Sequence, residues 1–88
     1  MTAITAHVMT CPNASCGNAP TVYTHKVDNA KWHAISCARC GISTGYTRKG
    51  FNHALKRWNV GISLHDSHGK PYTMSARVGR VVSMVVDV

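Results

Sequence analysis

Two short stretches decide the fold: Cys11-Pro12-Asn13-Ala14-Ser15-Cys16-Gly17 and Cys37-Ala38-Arg39-Cys40-Gly41. Four residues separate the first two cysteines, twenty separate the pairs, and two separate the last two. This spacing suits a tetrahedral metal site, because each close pair bends its backbone into a knuckle and the stretch between brings the knuckles together. Four cysteines can also form two disulfides in an oxidising compartment, and Cys37-x-x-Cys40 alone has the spacing of a redox dithiol. No βαβ pattern surrounds Cys37, and the paired arrangement favours a zinc site with Cys11, Cys16, Cys37 and Cys40 as ligands. Gly17 and Gly41 follow the second cysteine of each pair, where a positive φ lets the chain turn back and point N–H groups at sulfur. His33 is a weaker ligand candidate, since four thiolates already complete the shell. His65-Asp66-Ser67-His68-Gly69 offers two more imidazoles but reads first as a solvated turn.

Outward from the cysteines, Pro20 to Val27 and Lys31 to Ser36 are β-rich and flank Asp28-Asn29-Ala30, which predicts a hairpin between the knuckles. Phe51, Ala54, Leu55 and Trp58 recur at helical spacing, so Asn52 to Trp58 is expected as a short amphipathic helix ended by Asn59 and Gly61. A helix this short is marginal alone and must gain its order by burying Leu55 and Trp58. From Val60 the apolar period becomes two. Val60, Ile62 and Leu64, then Tyr72, Met74, Ala76 and Val78, predict two antiparallel strands across a turn at Asp66 to Pro71. Gly79 is either the start of a tight turn or a bulge. Val81 to Val88 is apolar on both faces and rich in valine, hence a strand. It is expected to meet a second copy of the chain through Val82, Met84, Val86 and Val88, or to be the central strand of a sheet whose neighbours carry Leu64 and Met74. The expected whole is one small α+β domain. It has an N-terminal arm (1–10), a four-cysteine zinc-ribbon and helix unit (11–61), and a C-terminal antiparallel β segment with a terminal interaction strand (62–88).

The chain has 88 residues, a size at which the hydrophobic core is small and a metal staple is useful. Apolar residues make up 44% and charged residues 15%, a balance that argues against intrinsic disorder. Asp28, Asp66 and Asp87 are the only carboxylate side chains, which leaves a paired-carboxylate glycosidase or a two-metal nuclease without its parts. No secretory leader is visible at the start, and Val81 to Val88 is far too short to span a bilayer, so a cytoplasmic protein without a membrane partner is expected.

Cys11-Pro12 leading to Cys16-Gly17, Cys37-x-x-Cys40-Gly41, and Ala54-Leu55-Lys56-Arg57-Trp58-Asn59 together resemble the Lar-type restriction-alleviation proteins of phages and prophages. Those small zinc ribbons run Cys-Pro-x-Cys-Gly, a hairpin, Cys-x-x-Cys-Gly, and a helix ending in Trp-Asn. The resemblance covers roughly residues 11–59 and departs at the first knuckle, where Asn13-Ala14-Ser15 stand in place of one residue. It implies a non-enzymatic phage-type protein that counters a bacterial host's defence by binding a host defence or gene-expression protein in the cytoplasm.

Charge supplies a different reading. Ten lysines and arginines against three acids give +7, and no acid lies between Asn29 and His65. Four thiolates and one Zn²⁺ carry −2, so the assembled protein is near +5. Arg39 is the expected compensator of the metal charge. Arg48, Lys49, Lys56 and Arg57 flank or lie on the helix and are candidates for contact with DNA or RNA phosphates, or for a protein partner. An enzyme is not expected, because four protein ligands leave zinc no open position and no nucleophile–base pair stands apart from the cysteines.

Overall fold

Seven-residue strands form where β-branched and aromatic residues concentrate, and the computed structural model, which describes residues 3–88, contains four of them. The chain order is β1 (Ala3–Met9), β2 (Thr21–Val27), β3 (Ala30–Ser36), α1 (Phe51–Val60), β4 (Leu64–His65), β5 (Pro71–Tyr72) and β6 (Val81–Asp87). The architecture is small α+β with antiparallel pairing throughout.

β2 and β3 make the expected hairpin, with Val27 opposite Ala30. The loop is therefore the two residues Asp28 and Asn29, both at positive φ (49° and 67°), a turn whose twist matches that of the strands. Beyond β3 the chain returns along its free edge: Thr47 pairs with His33, Ser43 with Ser36, and Ser43 also with His65 of β4. Val22, His33 and Ile35 face the core, where Ile35 packs with Phe51, Ala54 and Trp58 of α1.

The helix is longer than its apolar repeat predicts, running from Phe51 to Val60. Gly61 ends it at φ 85°, donating its N–H to Arg57 O at 2.9 Å. A side chain at Gly61 would also collide with Met74 Sδ, 2.9 Å from the Cβ position. Asn59 does not terminate the helix. Its Oδ1 accepts from Met9 N at 2.8 Å and its Nδ2 donates to His7 O at 3.0 Å, while Trp58 Nε1 donates to Met9 O at 2.7 Å. The last turn of α1 thus grips the backbone of β1.

Three expectations are corrected. First, the N-terminal stretch is not an arm: β1 pairs with β6 over seven residues, from Ala3 opposite Asp87 to Met9 opposite Val81. Ile4, Ala6 and Val8 alternate inward there. Second, the terminal strand is therefore flanked by β1 rather than by strands bearing Leu64 and Met74. The face of Val82, Met84, Val86 and Val88 expected to meet a second copy lies toward this chain's own core, where Val86 is buried and Met84 and Val88 pack against the cluster. The valines that point outward are Val81 and Val85, 59% and 76% exposed. Third, the long strands expected between Val60 and Val78 shrink to the two-residue pair β4–β5. Val60 completes the helix, Ser63 sits at φ 56°, and Arg77 turns inward, so the alternation there does not propagate as strand. Among the described residues no helix is long and apolar enough to cross a membrane.

Candidate metal centre

Cys11 follows β1, Cys16 precedes β2, Cys37 follows β3, and Cys40 closes the second knuckle, so the two knuckles converge on one point. The second knuckle is a tight turn in which Gly41 N donates to Cys37 O at 2.8 Å and Cys37 N to Ile42 O at 2.8 Å. Gly17 and Gly41 adopt positive φ, 67° and 78°, as the spacing predicts. At Gly41 a side chain is also sterically barred, since Ser67 Cβ lies 2.6 Å from where its Cβ would stand.

The four sulfurs lie within 4.8 Å of one another, and none is in a disulfide. For a tetrahedron with metal–sulfur bonds of about 2.3 Å, the edge is about 3.8 Å. Cys16 Sγ and Cys37 Sγ are 3.6 Å apart, close to that edge. The Cys40 backbone N–H points at Cys37 Sγ (3.4 Å) and Asn13 Nδ2 at Cys40 Sγ (3.8 Å), contacts that orient ligand sulfurs and stabilise negative charge on them. The cluster can hold a metal ion.

Electrostatics within the cluster point the same way. The Asn18 backbone N–H brings the Cys16 thiol down to about 7, whereas burial pushes the Cys11 and Cys40 thiols up. Four crowded thiolates repel one another, and a dication is what permits all of them to ionise together. The half-buried cation near this charge is Arg77, which falls between Ala76 and Val78 in the alternation that predicts a strand. Burial lowers its guanidinium from the ordinary range and a Cys11 thiolate opposes that shift. Its Nε donates to Trp58 O (3.0 Å), its Nη2 to Thr10 O (2.7 Å), and its guanidinium stacks 5.5 Å from the Trp58 ring centre. Arg39, the expected compensator, is exposed.

His33 is buried but faces Thr24, with its Nδ1 3.2 Å from Thr24 Oγ1 and outside the sulfur cluster. Asp66 Oδ1 accepts from the backbone of His68 (2.9 Å) and Lys70 (3.0 Å), so the His65–Gly69 stretch is a turn, and among the described residues no second group of potential ligands forms there.

The basic quartet does not act as one. Arg48, Lys49 and Lys56 are exposed, with the Arg48 guanidinium 5.6 Å from the Trp32 ring centre. Arg57 is committed internally: its Nη2 donates to Thr44 O and Ser63 O, holding the segment after the second knuckle and the turn before β4. No signal in the periodicity distinguished Arg57 from Lys56, because the carbonyls it satisfies lie in the loops on either side of the helix.

No protein-family profile, curated protein or solved structure matches this chain. The likeness to restriction-alleviation proteins rests on the quoted cysteine, glycine and Trp-Asn positions alone.

Proposed function

We propose that this chain is a zinc ribbon whose metal is structural and which acts by binding nucleic acid, without catalysis of its own. The metal assignment follows from donor chemistry. Four cysteine sulfurs within 4.8 Å of one another suit zinc, and a shell filled by the protein leaves no position for water or substrate. The observation that carries the nucleic-acid reading is that Arg48, Lys49 and Lys56 stand exposed within a stretch, residues 29–65, that holds no acid. Such cations attract phosphate without reading sequence. Elemental analysis should return one zinc per chain, and a fluorescent DNA or RNA should bind with an affinity that falls steeply as salt rises. A salt-insensitive or absent interaction would refute the nucleic-acid reading.

A second reading, binding to a host defence or gene-expression protein in the manner the family resemblance implies, draws on the outward Val81 and Val85 of β6, an exposed apolar pair of the kind that protein contacts cover. Capture of a host protein that persists after nuclease treatment, and that Val85→Lys abolishes, would favour it.

A further inference from the structure

The pairing of Thr47 with His33 does more than close the sheet edge. Antiparallel register about that pair places Arg48 beside Trp32 and Tyr46 beside Ala34. The hairpin register places His25 beside Trp32 and Tyr23 beside Ala34. The outward face of the hairpin and the segment bridged to it therefore carries two rows: His25, Trp32 and Arg48 in one, Tyr23, Ala34 and Tyr46 in the other. Neighbouring strands are about 4.8 Å apart and the rows about 6.6 Å apart. Ala34, in the middle, is 3% exposed, whereas Tyr23 and Tyr46 on either side are 41% and 54% exposed. The His25 and Tyr46 rings lean together across it, with centroids 6.4 Å apart.

Three aromatic side chains and an imidazole that the sequence scatters over residues 23–46 thus share one surface with a stacked guanidinium. The core-facing side of the same strands already supplies the packing, through Val22, His33 and Ile35. Exposed tyrosines in rows on the outer face have no such burial to explain them. Arg48 and Lys49 stand at one edge of the patch, and no acid lies between Asp28 at the hairpin tip and Asp66.

We propose that this face binds single-stranded nucleic acid by stacking bases on Tyr23, Tyr46 and the Arg48–Trp32 pair while Lys49 contacts the backbone phosphates. The inference rests on the nucleic-acid reading above and narrows it. Every base has a π-face, so stacking of this kind is tolerant of sequence, but it requires bases that are not already stacked in a duplex. The row spacing of about 6.6 Å suits an extended strand, whose bases are separated well beyond the 3.4 Å step of B-DNA. A guanidinium over an indole also offers a planar cation on which a further base can rest.

The test is a titration of the full-length, zinc-loaded protein with oligothymidylate and with a duplex of equal length, reading tryptophan emission together with anisotropy. Trp58 is fully buried, so any quenching by bases reports Trp32. The expected result is tighter binding of oligothymidylate with quenched emission. Tyr46→Ala and Tyr23→Ala should each weaken binding by roughly 5- to 150-fold, the loss associated with one stacked base. Removing one phosphate contact with Lys49→Gln should lower the log–log salt slope by about 0.7. Because both tyrosines are exposed, their variants should melt with the parent, and quenching in the unaltered protein stands as a measurement independent of any variant. Equal binding of duplex and single strand, without quenching and unchanged in Tyr46→Ala, would overturn the stacking proposal and leave phosphate binding intact. Binding of neither would overturn both.

Discussion

Replacing Cys37 with serine tests the metal centre most sharply. Cys37 is buried at the exit of β3, its sulfur receives the Cys40 N–H, and its neighbours Ile42 and Gly41 are tied to its backbone. Two estimates bracket the loss. Treating the metal only as a cross-link between Cys16 and Cys37, which close a loop of about 21 residues, removal costs about 3 kcal/mol of chain entropy. Treating metal affinity as folding free energy, as in zinc-finger peptides, the cost rises to about 10 kcal/mol. A domain of this length holds roughly 4–13 kcal/mol in all. Even the lower figure shifts the midpoint of melting by about 12–24 °C, and the upper one abolishes folding. The assay is thermal melting of Cys37→Ser beside the parent with and without chelator, under reducing conditions, with released metal measured by a chromogenic chelator. If the metal-free chain melts cooperatively within a few degrees of the loaded one, zinc does not hold this fold together and the reasoning from convergent cysteines fails.

Four further outcomes follow from the described contacts. Asn59→Ala, which removes both hydrogen bonds to β1, should cost about 1–3 kcal/mol and raise amide exchange in residues 3–9 more than in β2 or β3. Arg57→Ala should destabilise the fold by orphaning the carbonyls of Thr44 and Ser63, whereas Lys56→Ala should leave melting within about 0.5 kcal/mol of the parent; equal effects would show that Arg57 is only a surface cation. A chain ending at Gly79 should lose cooperative folding rather than become a folded monomer, because it removes the partner of β1 and takes Val86 from the core. Burial lowers the His33 pKa below its ordinary 6.5, so the unfolded chain protonates first on acidification. The stability this contributes is complete above about pH 6.5 and is lost as pH falls toward the lower folded value, so the acid slope of His33→Gln should be shallower than the parent's in that window.

The cysteine spacing, the hairpin, the apolar stripe of α1 and the burial of Trp58 are all local patterns, and each was legible. What escaped reading is non-local. Ile4, Ala6 and Val8 alternate with Thr5 and His7, a strand signal of the ordinary kind, yet nothing near them names β6 as the partner. The outward and inward faces of β6 could not be assigned for the same reason, since valines occupy both. Arg77 looked like a polar residue on an alternating strand until Trp58 O and Thr10 O, contributed by two other elements, gave its guanidinium a place inside. Tyr23, Trp32 and Tyr46 became a surface only because Thr47 pairs with His33.

The union of the first strand with the last also governs how the chain assembles. As the protein is synthesised, the hairpin and both knuckles are complete once Cys40 has emerged, and α1 can follow onto them. β1 meanwhile waits for β6, which is made after α1, a closure of high contact order and therefore slow. In that interval its edge is open to other chains. Trp58 and Asn59, which emerge well before Val81, carry the groups that bond the backbone of His7 and Met9, so β1 has in the helix end a partner that does not depend on β6.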